Sequence, residues 1–169
     1  MVKSKRTVRK KRMFTTIEME VAIVTLFGIR ENIIVPNISW GFYIHEIDLF
    51  LINKSGYVKE IEIKRSKSDL IADFTKKHHH VDKQNRINEL YYAMPVELYE
   101  TCKHYIPENA GIITCNRYDN DSKIYARIIR HAKKIKNSRK LTIEEQLQIA
   151  RLGTMRIWSL KNKIIKLIL

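Results

Sequence analysis

The stretch HEIDLFLINKSGYVKEIEIK, His45 to Lys64, decides how the rest of the chain is read. Two aliphatic-rich runs flank a Lys-Ser-Gly turn, which predicts two paired strands. Side chains alternate along a strand, so Glu60, Glu62 and Lys64 share one face and Ile61 and Ile63 the other. On the partner strand Glu46 and Asp48 oppose Ile47, Leu49 and Leu51. Matching the apolar faces gathers the carboxylates and the lysine into one patch. By itself EIEIK reads as the wet face of an edge hairpin, with charges paired across strands. Asp48 shifts that reading. It interrupts the apolar run DLFLI, where a carboxylate is rare unless paired or bound to a metal.

A chain of 169 residues with 44% apolar content supports one folded domain with a real core. Its formal net charge of +14 points to a polyanionic partner, DNA above all. The charge is clustered, in MVKSKRTVRKKR at the start and in RIIRHAKKIKNSRK over Arg127 to Lys140. Lys10, Lys11, Arg12, Arg130, Lys133 and Lys134 are therefore candidate phosphate contacts. Cys102 and Cys115 make neither a disulfide framework nor a CxxC motif. The basic start is followed by no apolar run suited to a signal peptide, and Val21 to Ile29 is too short to span a bilayer. These features predict a protein of the reducing cytoplasm with no membrane partner.

The pattern divides the chain into a flexible basic arm, 1–13, and a single domain, 14–169. Thr15 or Thr16 starts a helix running to about Arg30, and IIVPNI is a short strand whose Pro36 suits an edge. The central strands run from about Phe42 to Ile52 and from Tyr57 to Lys64. A helix follows over about Ser66 to Lys77, opened by a Ser66–Asp69 pair that resembles a capping box. LYYAM is a buried strand, Pro95 opens a short helix to about His104, and AGIITC and KIYARIIR are two further strands. Thr142 and Glu145 cap a long helix over about 142–167, whose Leu147, Ala150, Met155, Trp158 and Leu160 predict packing on the body. The fold class is α/β, a mixed central sheet flanked by helices with a long C-terminal helix.

Hydrolysing a phosphodiester requires a nucleophilic water, neutralisation of charge on phosphorus and a proton for the leaving oxygen. A Mg²⁺ or Mn²⁺ ion held by Asp48 and Glu62, with the carbonyl of Ile63 as a third ligand, meets the first two needs. Lys64 then lies beside the attacking water. Glu20 is the preferred helix carboxylate to complete the shell and Glu18 the alternate, since Glu18 lies in the first turn, where capping alone accounts for an acid.

Asp48 followed by Glu62-Ile63-Lys64, after a helical glutamate, resembles the PD-(D/E)xK nuclease superfamily. EIEIKRSKSDLIADFTK, INELYYAMP and IPENAGIITC are similar to its MmcB-type DNA-repair branch, over roughly residues 14 to 130. The superfamily's proline before the aspartate is replaced here by Ile47. The resemblance implies a restriction-endonuclease-like αβββαβ core, metal ligation by Asp48 and Glu62, and a catalytic Lys64. It implies a metal-dependent DNA endonuclease or exonuclease in DNA repair or mobile-element processing.

Other polar features weigh less. His78, His79 and His80 point in different directions on a helix and read as a cationic loop rather than a zinc site. His45 reads as a locally bonded strand residue, and Asp69 and Asp73 as capping and helix solvation. Arg65, Lys67, Lys76 and Lys77 line a candidate DNA groove or a solvated helix face. Trp40 and Trp158 read as core or interface. The rival functions are a non-catalytic DNA-binding protein on the same fold and a subunit of a nucleoprotein complex that docks through the C-terminal helix; a homodimer stays open.

Overall fold

A computed structural model describes residues 13–39, 42–74, 84–117 and 123–168. Residues 1–12 of the predicted arm, Trp40, Lys76, Lys77 and the three histidines lie outside them. In chain order the elements are α1 (Thr16–Phe27), β1 (Ile33–Ile38), β2 (Ile47–Ile52), β3 (Val58–Ile63), α2 (Lys67–Phe74), β4 (Ile87–Pro95), α3 (Val96–Cys102), β5 (Gly111–Arg117), β6 (Ile124–Arg130) and α4 (Ile143–Ile168). A single 3₁₀ turn, Lys103–Tyr105, follows α3. The strands form one sheet in sequence order, with β3, β4 and β5 parallel and the outer pairings antiparallel.

Local chemistry sets the element boundaries. Thr15 caps α1 through a reciprocal box with Glu18, and Gly28 ends it at φ 77°. Asn53 folds the β2–β3 turn by accepting from the backbone N–H groups of Ser55 and Tyr57 at 2.9 and 3.1 Å. Gly56 supplies the positive φ, 82°, that this turn requires. Ser66 caps α2 by accepting from the Asp69 N–H at 3.1 Å. Thr142 and Glu145 form the reciprocal pair expected before α4.

Two expectations need correction. β2 begins at Ile47, not Phe42. The backbone turns at Tyr43, φ 53°, and the buried Arg86 guanidinium holds the carbonyls of Phe42 and Tyr43 at 3.0 and 3.3 Å. The second concerns α4, which packs on β1 only through its first half. Ile149 is buried, Gly153 faces Val35, and Arg156 donates to the Asn37 carbonyl at 2.7 Å. From Thr154 to Ile168 every residue is exposed. A 26-residue helix extends about 39 Å and a six-residue strand about 20 Å, so α4 overruns the edge it packs on.

Both faces of the sheet are covered. Leu49, Leu51, Ile61 and Ile63 meet Met19 and Ile23 of α1 on one side. On the other, Tyr92, Met94 and Ile112 meet Leu70 of α2 and Cys102 of α3, while Phe50, Ile52 and Val58 meet Ile149 of α4. The Glu60–Glu62–Lys64 face is consequently not the wet face of an edge hairpin. β2 and β3 lie inside a six-stranded sheet, and Glu60, Glu62 and Lys64 are at most 5% exposed.

Candidate active site

β2 and β3 pair with Leu49 opposite Ile61 and Phe50 opposite Glu60, which puts Asp48 on the side of Glu60, Glu62 and Lys64. The backbone ladder stops at Leu49 and Ile61, and Asp48 takes over. Its Oδ2 accepts from the Ile63 N–H at 2.7 Å, which ties the carboxylate to the end of β3. Asp48 makes no other hydrogen bond to the described residues. Burial pushes its pKa up, against the Ile63 hydrogen bond and the charge of Lys64.

Glu62 and Lys64 point into the layer between β3 and α2. Lys64 Nζ donates to Glu62 Oε2 at 2.8 Å and to Asp73 Oδ1 at 2.9 Å, and all three side chains are at most 6% exposed. Burial lifts the Glu62 carboxyl to about 7 despite the neighbouring lysine, and Asp48 adds to the rise. Burial alone would lower the pKa of Lys64, but Glu62 and Asp73 outweigh it and hold the ammonium charged above its usual range. The other oxygen of Glu62, Oε1, is buried and has no hydrogen-bond partner among the described residues. An unpaired buried carboxylate oxygen is costly, and either a proton or a bound cation would relieve it. Among the described residues, however, no preformed group of three or more His, Cys, Asp or Glu is arranged to hold a metal ion. The donor set that fits a hard cation is Asp48 with Glu62, at the point where Asp48 is fixed to Ile63.

The two α1 glutamates part company. Glu18 closes the Thr15 capping box and pairs with Arg117 at 3.0 Å, so its oxygens are committed. Glu20 is half-buried, and its pKa is raised by burial and by the charge of Asp48. α1 packs on the opposite face of the sheet, yet Glu20 lies within electrostatic range of Asp48. Glu46 is exposed, whereas Glu60 is wholly buried and bonded to His45 Nε2 at 2.9 Å.

Asp73 is the residue that sequence reasoning missed. It is 3% exposed and holds Lys64, so it neither caps nor solvates α2. Its spacing from Leu70 carried the signal, since residues three apart share a helix face and Leu70 is buried. Tyr92, opposite Glu62 on β4, is bonded to Asp73 through its hydroxyl, and burial raises its pKa.

The sheet separates the predicted basic contacts. Arg65 and Lys67 are exposed just beyond Lys64, and Lys67 Nζ sits 5.1 Å from the centre of the Tyr105 ring. Arg130 is committed to the fold, donating to the carbonyls of Ala110 at 2.9 Å and Pro107 at 2.7 Å. Lys133 and Lys134 are exposed on the loop between β6 and α4, whose backbone N–H groups are hydrogen-bonded to the carbonyls of Asn109, Asn88, Asn85 and Gly56. Those residues mark the starts of β5, β4 and β3, the end of the sheet away from Glu62 and Lys64. The two regions are separated by the length of β3, roughly 20 Å. Lys10, Lys11, Arg12, Lys76 and Lys77 lie outside the described residues.

No helix among the described residues is long and apolar enough to cross a membrane. No protein-family model and no curated protein matches the chain. A solved structure of a protein of unknown function from Silicibacter pomeroyi is similar, with a TM-score of 0.61 at 14% identity, covering 91% of this chain and 93% of that one. At that identity the likeness speaks for the fold, an α/β architecture with a mixed sheet flanked by helices.

Proposed function

We propose that this chain is a metal-dependent deoxyribonuclease of the PD-(D/E)xK type, acting in the cytoplasm on DNA during repair or mobile-element processing. One observation carries the reading: Asp48, Glu62 and Lys64 share one face at the ends of β2 and β3, with Glu62 Oε1 buried and unpaired among the described residues. Asp48 and Glu62 would hold the ion, and Glu20 is the acid in range to support it. What a divalent cation supplies at such a pair is positive charge against the phosphoryl oxygens and a more acidic water. Lys64 stays protonated, so it is a donor to phosphate oxygen and not a base. Asp73 positions it. Ionisation of Glu62 near pH 7 makes cation binding, and with it cleavage, rise from pH 6 to pH 8.

The rival reading, a DNA-binding subunit without chemistry, draws on Lys64 being held by two carboxylates and on the absence of a three-donor group among the described residues. Labelled single-stranded, duplex and branched DNA, incubated with Mg²⁺ or Mn²⁺ and with chelator, separates the two. The nuclease reading expects metal-dependent products that Asp48→Asn and Lys64→Ala abolish. Salt-sensitive binding with no product from any substrate gives the case to the rival.

A further inference from the structure

We propose that the chain forms a two-fold symmetric dimer by antiparallel pairing of α4 with α4 of a second copy. The inference stands apart from the nuclease reading, because it rests on a surface at the other side of β1. Starting at Ile143, steps of four and three residues alternate without a break through Leu147, Ala150, Thr154, Ile157, Lys161 and Ile164 to Ile168. That alternation is the seam of a coiled coil. At 3.6 residues per turn the seam lies about 120° around the helix from Ile149, Leu152, Gly153 and Arg156, the side that meets the body. It has no partner among the described residues. Ile143 is 72% exposed, Leu147 61%, Ile157 57% and Ile168 78%, and Trp158 beside the seam is 60% exposed. A monomer rarely leaves in water an apolar stripe of this length, interrupted here only by Thr154 and Lys161.

The sequence of the seam selects the occupant and its direction. In an antiparallel pair one register serves every position: Leu147 meets Ile164 of the second copy, Thr154 meets Ile157, and Ile168 meets Ile143. The same register lays the long stem of Lys161 over the small Ala150, so the one charged seam residue finds room and its ammonium reaches water. A parallel pair would instead set Lys161 against Lys161. It would also align the basic ends carrying Lys163 and Lys166, whereas the antiparallel pair brings each basic end to the acidic first turn with Glu144. Such an interface is the same patch on both copies and closes on itself.

Sedimentation of the full chain tests the proposal. The expected result is a species of twice the 20.1 kDa monomer mass at micromolar concentration. Ile157→Lys with Ile164→Lys should return it to monomer with an unchanged circular dichroism spectrum, since both side chains are exposed. Lys161→Leu should tighten the dimer about tenfold. A spin label on Lys166→Cys reads the direction, because both native cysteines are buried. An antiparallel pair separates the labels by about 30 Å along the axis, and a parallel pair brings them side by side. A wild-type monomer at tens of micromolar overturns the proposal, and so does a dimer indifferent to the double lysine variant. Labels side by side overturn the antiparallel arrangement. Recruitment of a monomer to anionic vesicles would assign the stripe to a lipid surface instead.

Discussion

Glu62→Gln isolates the titration of a carboxyl that burial pushes up to about 7. A carboxyl whose folded pKa lies above its unfolded value keeps its proton more readily when folded, so ionisation costs stability as pH rises. For Glu62 the pKa moves from 4.5 to about 7, which opens a window between those values. Proton linkage across that window gives a loss of about 2.5 kcal/mol between pH 5 and pH 8 in the wild type. The glutamine variant has no such proton to lose. Changes that do not depend on pH, such as a weaker hydrogen bond to Lys64, cancel when the two proteins are compared at both pH values. Urea unfolding of wild type and variant at pH 5 and pH 8, without divalent ions, therefore reads the linkage alone. The variant should gain about 2.5 kcal/mol on the wild type over that interval. A difference that stays constant with pH, or reverses sign, would refute the claim that Glu62 is held near neutrality by burial.

Other predictions follow from the same geometry. Asp73→Asn should destabilise the fold by about 3 kcal/mol, since Lys64 is left buried with one carboxylate instead of two, and urea unfolding at pH 7 measures it. Removing residues 1–12 should weaken DNA binding and flatten its salt dependence by about 0.9 for each phosphate that the arm neutralises; an unchanged slope in a fluorescence-anisotropy salt titration would show the arm idle. Gly111→Ala should cost about 1–3 kcal/mol, because a Cβ there would sit 2.3 Å from the Tyr91 ring, and its melting temperature reports the loss.

The order of elements was legible in the chain because its signals are local. Capping pairs at Thr15–Glu18 and Thr142–Glu145, the Asn53–Gly56 turn and the period-two alternation of EIEIK each act within a few residues. The shared face of Asp48, Glu62 and Lys64 followed from alternation alone. What alternation could not show was burial. The Glu60–Lys64 face is dry because β3 pairs with β4 and Asp73 of α2 lies over Lys64, contacts set by distant residues. The grip of Asp73 on Lys64 spans nine residues and a change of layer. Arg130 shows the opposite failure: composition marks it as a phosphate contact, while tertiary folding spends its donors on the Pro107–Ala110 turn. Periodicity in α4 was real, but its apolar seam faces away from the body that its spacing predicts it would pack on.

The central claim is that Asp48 and Glu62 together hold a divalent cation beside Lys64. Anomalous diffraction from crystals soaked in Mn²⁺ at pH 8, where Glu62 is ionised, tests it most directly. One manganese peak should appear between Asp48 and Oε1 of Glu62 and be absent from Asp48→Asn crystals treated alike. A map with no peak there, or a peak that survives the substitution, would contradict it.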